Sequence, residues 1–156
     1  MVRNKFVFVT FAVMSFALPL RAQITFVQAA SKDCGTVSSC TLAFEANNAS
    51  GNLLVVAVRS GSMTTKVTVS DSQTNTYVAQ ISRNQTRNGH TLTIAYAANV
   101  KPGANKVSVT LSGGTTMRVA IHEYGGIVPS DPVDAFSSSE GSSLNIVNQP
   151  RMTSRA

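Results

Sequence analysis

The chain has no tryptophan, few other aromatics (6%) and few charged residues (13%) among its 156 residues. So small a charged fraction excludes a disordered chain, because little self-repulsion opposes collapse of the 43% that is hydrophobic. Lys and Glu are too scarce for a coiled coil, and the length excludes a multidomain enzyme. The longest uncharged apolar run covers 13 residues at 6–18, short of the roughly 20 needed to cross a bilayer. There is no Gly-x-Ser-x-Gly elbow, phosphate loop or dinucleotide fingerprint; Gly113-Gly114 and Gly125-Gly126 read as turn glycines.

What is present begins with an export pattern. Arg3 and Lys5 precede the apolar run, and Pro19 and Leu20-Arg21-Ala22 supply a break and a small residue for cleavage. Residues 1–22 are therefore expected to be a signal peptide, leaving a secreted or periplasmic chain with no membrane span. No Cys follows the apolar run, which excludes a lipoprotein. With Arg3, Lys5 and Arg21 removed, ten of the 13 basic residues remain against seven acidic, a net charge of +3. These are scattered, and the nearest cluster, Arg83, Arg87 and His90, has no interleaved aromatic. Nucleic acid is not the expected partner.

Cys34 and Cys40 are the only cysteines. In an oxidising compartment such a pair closes a disulfide, while a metal site needs more ligands nearby and a redox motif needs two intervening residues rather than five.

From residue 23 onward, Gly, Asn, Pro and Ser clusters interrupt short β-branched runs every 8 to 12 residues, the rhythm of an all-β antiparallel sandwich, jelly-roll or immunoglobulin-like. Strands are expected at 24–29, 41–45, 53–59, 66–70, 77–81, 91–97, 106–111 and 116–123, with a polar loop at 82–90 and turns at 71–75, 102–103 and 112–114. Residues 53–59 are apolar on both faces and should be central and well covered. Leu54, Val56, Val58, Val107, Val109, Val119 and Ile121 form the expected heart of the core. A module at 23–136 is followed by a Ser-rich tail, 137–156, expected to be poorly ordered, in which Leu144, Ile146 and Val147 offer one short strand.

Four runs carry a resemblance: Asn48-Ala49-Ser50-Gly51-Asn52-Leu53-Leu54-Val55-Val56; Val69-Ser70-Asp71-Ser72-Gln73-Thr74-Asn75-Thr76-Tyr77; Ala95-Tyr96-Ala97-Ala98-Asn99-Val100 followed by Gly103-Ala104-Asn105-Lys106-Val107; and Glu123-Tyr124-Gly125-Gly126 leading to Pro132-Val133-Asp134. The chain resembles, over about residues 24–136, a group of secreted bacterial modules that often precede immunoglobulin-like or anchoring domains in long exported proteins. The resemblance implies a β-sandwich and is nearly silent about activity. Thr74 stands where that group has Gly. The group's modules also continue for several strands past the Ser-rich stretch, so the sandwich is expected to be incomplete at its C-terminus, a truncated copy of a larger exported protein.

Few residues invite chemistry. A triad joining a Ser to His122 with Asp71 or Asp131 has no supporting motif, and His90 lies in the polar loop. Glu45 and Glu123 are the nearest to a carboxylate pair, with no cleft implied. Glu123 shares a face with Val119 and Ile121, so it is expected to be buried and to need Arg59 or a hydroxyl as partner. Asp71 with Asn75, and Asp131 with Asp134, are weak calcium candidates whose default role is turn capping. No catalytic residue, resident metal or cofactor is expected. The expected function is a non-catalytic exported module for structure, adhesion or recognition, its partner an extracellular polysaccharide or a cell-surface protein. The alternatives are a carbohydrate-binding module, for which only Tyr77, Tyr96 and Tyr124 offer tyrosine rings, and a hydrolase fragment.

One consequence is testable without a structure. Val56→Asp should abolish the cooperative thermal transition, since it places an unpaired charge in the core. An unchanged melting temperature would show that 53–59 is not central.

Overall fold

Period-two alternation runs through the six strands among the described residues, one set of alternate side chains turned inward. The computed structural model describes residues 23–141. The strands are β1 (Thr25–Ala43), β2 (Leu53–Ser60), β3 (Val67–Asp71), β4 (Val78–Gln85), β5 (His90–Ala97) and β6 (Lys106–Gly125), with one 3-10 turn at Thr86–Asn88. All pairings between them are antiparallel, so the chain is all-β as its composition implies.

The frame is the ribbon of β1 and β6. The first part of β6 lies between residues 39–43 of β1 and β3; the second lies between residues 25–37 of β1 and β2. The sheet therefore has two wings sharing one ribbon, a five-stranded wing β1-β6-β2-β5-β4 and a three-stranded wing β1-β6-β3. Their inner faces meet in one cluster. Leu54, Val56 and Val58 of β2 join Val107, Val109, Leu111, Met117, Val119 and Ile121 of β6, and Val67 and Val69 of β3 pack against them. Every expected core residue is buried, each worth about 1.5–3 kcal/mol of apolar transfer.

Three expectations need correction. The strands expected at 24–29 and 41–45 are the two ends of β1, which runs through the cystine segment instead of looping out. Register shifts at Phe26/Gln28, Asp33/Gly35 and Val37/Ser39 absorb the extra residues as bulges, with Gly35 in the left-handed region (φ 70°). Likewise, Ser112-Gly113-Gly114 does not reverse the chain. It continues β6 as extended backbone at the point where the strand changes partner from β3 to β2. The polar loop expected at 82–90 shrinks to a tight turn, because β4 continues to Gln85 and pairs to His90. Polarity misled there, since β4 is an edge strand with both faces partly wet.

β2 is central, hydrogen-bonded to β6 and β5, yet only its even-numbered residues are fully buried; Leu53, Val55 and Ala57 are half-buried on the outer face. Thr74 is left-handed (φ 57°). The segment at Leu144, Ile146 and Val147, with most of the Ser-rich tail, lies outside the described residues.

Cys34 and Cys40 are disulfide-bonded with Cα atoms 6.1 Å apart, and Cys40 is part of the core. The bridge pins the two bulges that let β1 serve both wings. Replacing both cysteines by Ser should cost about 2 kcal/mol for so small a ring, read from urea unfolding. No loss would show that strand pairing alone holds the bulges.

Candidate functional site

The polar side chains that sequence alone marks for chemistry fall into three places: two carboxylates at one end of the molecule, an outer sheet face, and a histidine beside an arginine.

Alternation along β6 puts Glu123 on the inner face with Val119 and Ile121, and it is fully buried. Its Oε2 accepts from Gln28 Nε2 at 2.6 Å and Asn48 Nδ2 at 2.7 Å; its Oε1 accepts from Asn52 Nδ2 at 2.7 Å and Ala49 N–H at 2.9 Å. Four donors fill the roughly four lone-pair positions of a carboxylate. The expected partner, Arg59, is not among them: its guanidinium lies 2.7 Å from His90 Nε2. Neutral amides replace the cation because the loop joining β1 to β2 folds its asparagines over Glu123. Burial by itself raises the Glu123 pKa, but the donors from Gln28, Ala49, Asn52 and Asn48 outweigh it and hold the carboxyl below the usual range.

Asp71, at the end of β3, is built the same way. Its Oδ1 accepts the N–H groups of Gln73 and Asn75, and its Oδ2 accepts from Asn75 Nδ2 at 2.8 Å, Asn105 Nδ2 at 2.9 Å and Tyr77 Oη at 3.0 Å. Burial pushes this carboxyl up, and the hydrogen bonds from Asn105, Asn75 and Tyr77 bring it below its ordinary value. The same contact, with burial as the larger cause, drives the Tyr77 hydroxyl far above the usual phenol range.

The pairing of Asp71 with Asn75 foreseen from sequence is thus real, but it is a hydrogen bond. A calcium ion there would have to displace Asn75, Tyr77 and Asn105. Asp131 and Asp134 are exposed in the segment after β6, and Asp131 is left-handed (φ 51°). Glu45 is exposed while Glu123 is buried, so the two form no catalytic pair. Among the described residues, no three His, Cys, Asp or Glu side chains come together to hold a metal.

The loop 98–105 ties both carboxylates together. Gly103 and Asn48 exchange backbone hydrogen bonds, Val100 accepts from Gly51 N–H, Ala104 accepts from Gln73 Nε2, and Lys101 N–H donates to Asn75 Oδ1. Asn48, Asn52 and Asn105 hold the two carboxylates, a role that no pattern in the sequence assigned to them. Gln28 gave no signal at all.

The outer face of the five-stranded wing is different in kind. Register aligns Phe26, Tyr124 and Leu53 in one row and His122, Val55, Tyr96 and Val78 in the next. His122 and Tyr124 stack, 6.2 Å between centroids and 5° between planes, and Phe26 meets both edge-on at 6.3 and 5.9 Å. Phe26 is 61% exposed. His122 is therefore a surface ring in an aromatic cluster rather than a base facing a serine. Two rows further along come Asp33, Arg118, Arg59, Leu92 and Arg83. Arg118 and Asp33 form an exposed ion pair at 2.8 Å, and the N–H of Gly35 with that arginine holds Asp33 below its ordinary pKa.

Next to this basic row, a cavity of about 490 Å³ lies between Arg59, Ile81 and Ile94 and residues 137–141 of the chain after β6. The Arg59 guanidinium can only donate, so His90 Nε2 is the acceptor of their contact, and His90 Nδ1 is buried with no partner among the described residues. No protein-family model, curated protein or solved structure matches the chain.

Both carboxyls, the buried Glu123 and the half-buried Asp71, bind protons less readily in the folded than in the unfolded chain. Their stabilisation is full above the ordinary values of 4.5 and 3.8 and is lost as the pH falls through the lower folded values. Stability should accordingly be flat from pH 7 to 5 and fall below pH 4.5 in denaturant titrations. Glu123→Gln, which turns one accepting oxygen into a donor facing buried donors, should cost about 2–3 kcal/mol at pH 7 and shrink the acid-induced loss. A variant as stable as the parent would mean the donor shell does not depend on the charge.

Proposed function

We propose that this chain is a non-catalytic exported module that recognises an extracellular partner through the outer face of its five-stranded wing. The observation that carries the reading is the alignment of Phe26, His122, Tyr124, Leu53, Val55, Tyr96 and Val78 in adjoining rows of one sheet face. A strand normally sends such residues to the core, and here β2 and β6 keep a second apolar face toward solvent. Contiguous apolar surface of this kind marks interaction sites. The two carboxylates best suited to acid–base work are already committed to loop amides. Export is supported by the basic, apolar and small-residue pattern of residues 1–22 and by the Cys34–Cys40 disulfide.

A carbohydrate partner is the second reading, favoured by the ring cluster itself. Aromatic faces pack on the C–H faces of sugar rings, and the row of Arg118, Arg59 and Arg83 supplies donors for hydroxyl or carboxylate groups. The total of three tyrosines and no tryptophan made this reading weak from composition, but composition does not report that Tyr96, Tyr124 and Phe26 share one face.

The test is binding of the mature protein to a panel of neutral and acidic polysaccharides and to outer-surface protein extracts. Phe26→Ala with Tyr124→Ala should weaken binding about tenfold or more, each ring contact being worth roughly 0.5–1.5 kcal/mol. The melting temperature should barely move, because Phe26 is exposed. Undiminished binding by this variant would place recognition elsewhere.

A further inference from the structure

The three-stranded wing is too narrow to cover the five-stranded one. β5 turns Thr91, Thr93, Ala95 and Ala97 inward, and all four are buried. β4 is in register with it, Ala79 opposite Ala95, Ser82 opposite Thr93 and Asn84 opposite Thr91, so Ala79, Ser82 and Asn84 also face inward. Yet all three are exposed. Nothing among the described residues packs on the inner face of β4. The vacancy is a groove between β3 and β4. It holds a cavity of about 750 Å³ at its mouth, near Met63, Lys66, Arg83 and Glu140, and continues as a space of about 150 Å³ down to Tyr77.

The wall of this groove is an unused strand edge. Ser112 N–H donates to Lys66 C=O and Ser72 N–H to Lys106 C=O, which fixes the phase of the β3–β6 ladder. Hydrogen-bonded pairs alternate along an antiparallel ladder, so the N–H and C=O of Val67 and Val69 point away from β6, into the groove. An edge with free donors and acceptors is a template for one more strand. The floor is small, Ala79, Thr93 and Ala95, and leaves room for apolar side chains from above.

The chain itself is led to the mouth. Glu140 lines it and accepts hydrogen bonds from Thr86 N–H at 2.7 Å and Thr86 Oγ1 at 2.5 Å. Leu144 is four residues beyond Glu140, within roughly 13 Å of extended chain at about 3.3 Å per residue, and the four residues 144–147 then match most of the five-residue edge of β3. In that stretch Leu144 and Ile146 alternate with Asn145 and Val147. We propose that the groove between β3 and β4 is an acceptor site for one extended strand, and that residues 144–147 of this chain supply it, hydrogen-bonding to Val67 and Val69 and placing alternate apolar side chains over Ala79 and Ala95.

Amide exchange of the full mature chain, resolved by residue, tests this. The Val67 and Val69 amides should exchange slowly, and Leu144→Asp with Ile146→Asp should accelerate both by about tenfold or more while leaving Val56 and Val119 protected. Ala79→Arg, which fills the groove from an exposed position, should do the same. Fast exchange at Val67 and Val69 in the unaltered chain overturns the proposal. So does protection that survives the Asp substitutions. Protection that disappears on dilution overturns the assignment to the chain's own segment and indicates a strand from a second molecule.

Discussion

A buried anion without a cation constrains everything at one end of this molecule. Glu123 is inaccessible to solvent, and its desolvation is tolerable only while all four donors remain in place. Those donors come from β1 and from the loop before β2, so the charge fixes two segments relative to β6. Gln28 does double duty, since its amide also pairs with the backbone of Ala46 through Nε2 to the carbonyl and Oε1 to the N–H. Removing any one donor leaves a charge partly unmet. The loop is therefore held by these bonds to the carboxylate together with its backbone bonds to residues 100–105 and the burial of Phe44 in the core.

Asp71 repeats the device on the other wing, and the loop 98–105 connects the two through backbone bonds to Asn48, Gly51 and Asn52 on one side and side-chain bonds to Gln73 and Asn75 on the other. A short three-stranded wing and a long five-stranded wing are otherwise joined by their common ribbon and the apolar cluster between them. The paired carboxylates close the structure where the ribbon cannot reach. Among the described residues the opposite end has no such buried carboxylate, and there the outer β3 edge, the exposed inner face of β4 and the His90–Arg59 contact occur.

The proposed recognition surface follows from the same asymmetry. With the carboxylates spent on structure, the remaining distinctive chemistry is the outer face, where stacked His122 and Tyr124, edge-on Phe26 and a row of arginines lie on rigid strands. Rings held by a sheet lose little freedom on contact with a partner, which favours recognition over a mobile loop of the same composition.

Strand content, the inward set Leu54, Val56, Val58, Val107, Val109, Val119 and Ile121, the cystine and the burial of Glu123 are all legible in the sequence, because alternation and spacing are local properties of the chain. Continuity was not. Whether Ser112-Gly113-Gly114 turns or extends depends on β3 and β2 offering successive partners to one strand, and the bulges of β1 exist only against β6. The partner of Glu123 was equally hidden, since Arg59 and Asn48 differ by which segment reaches the carboxylate, not by any pattern around it. Period-two alternation assigns a residue to a face. Which rows align across five strands, and which face is left uncovered, is decided only when the strands pair.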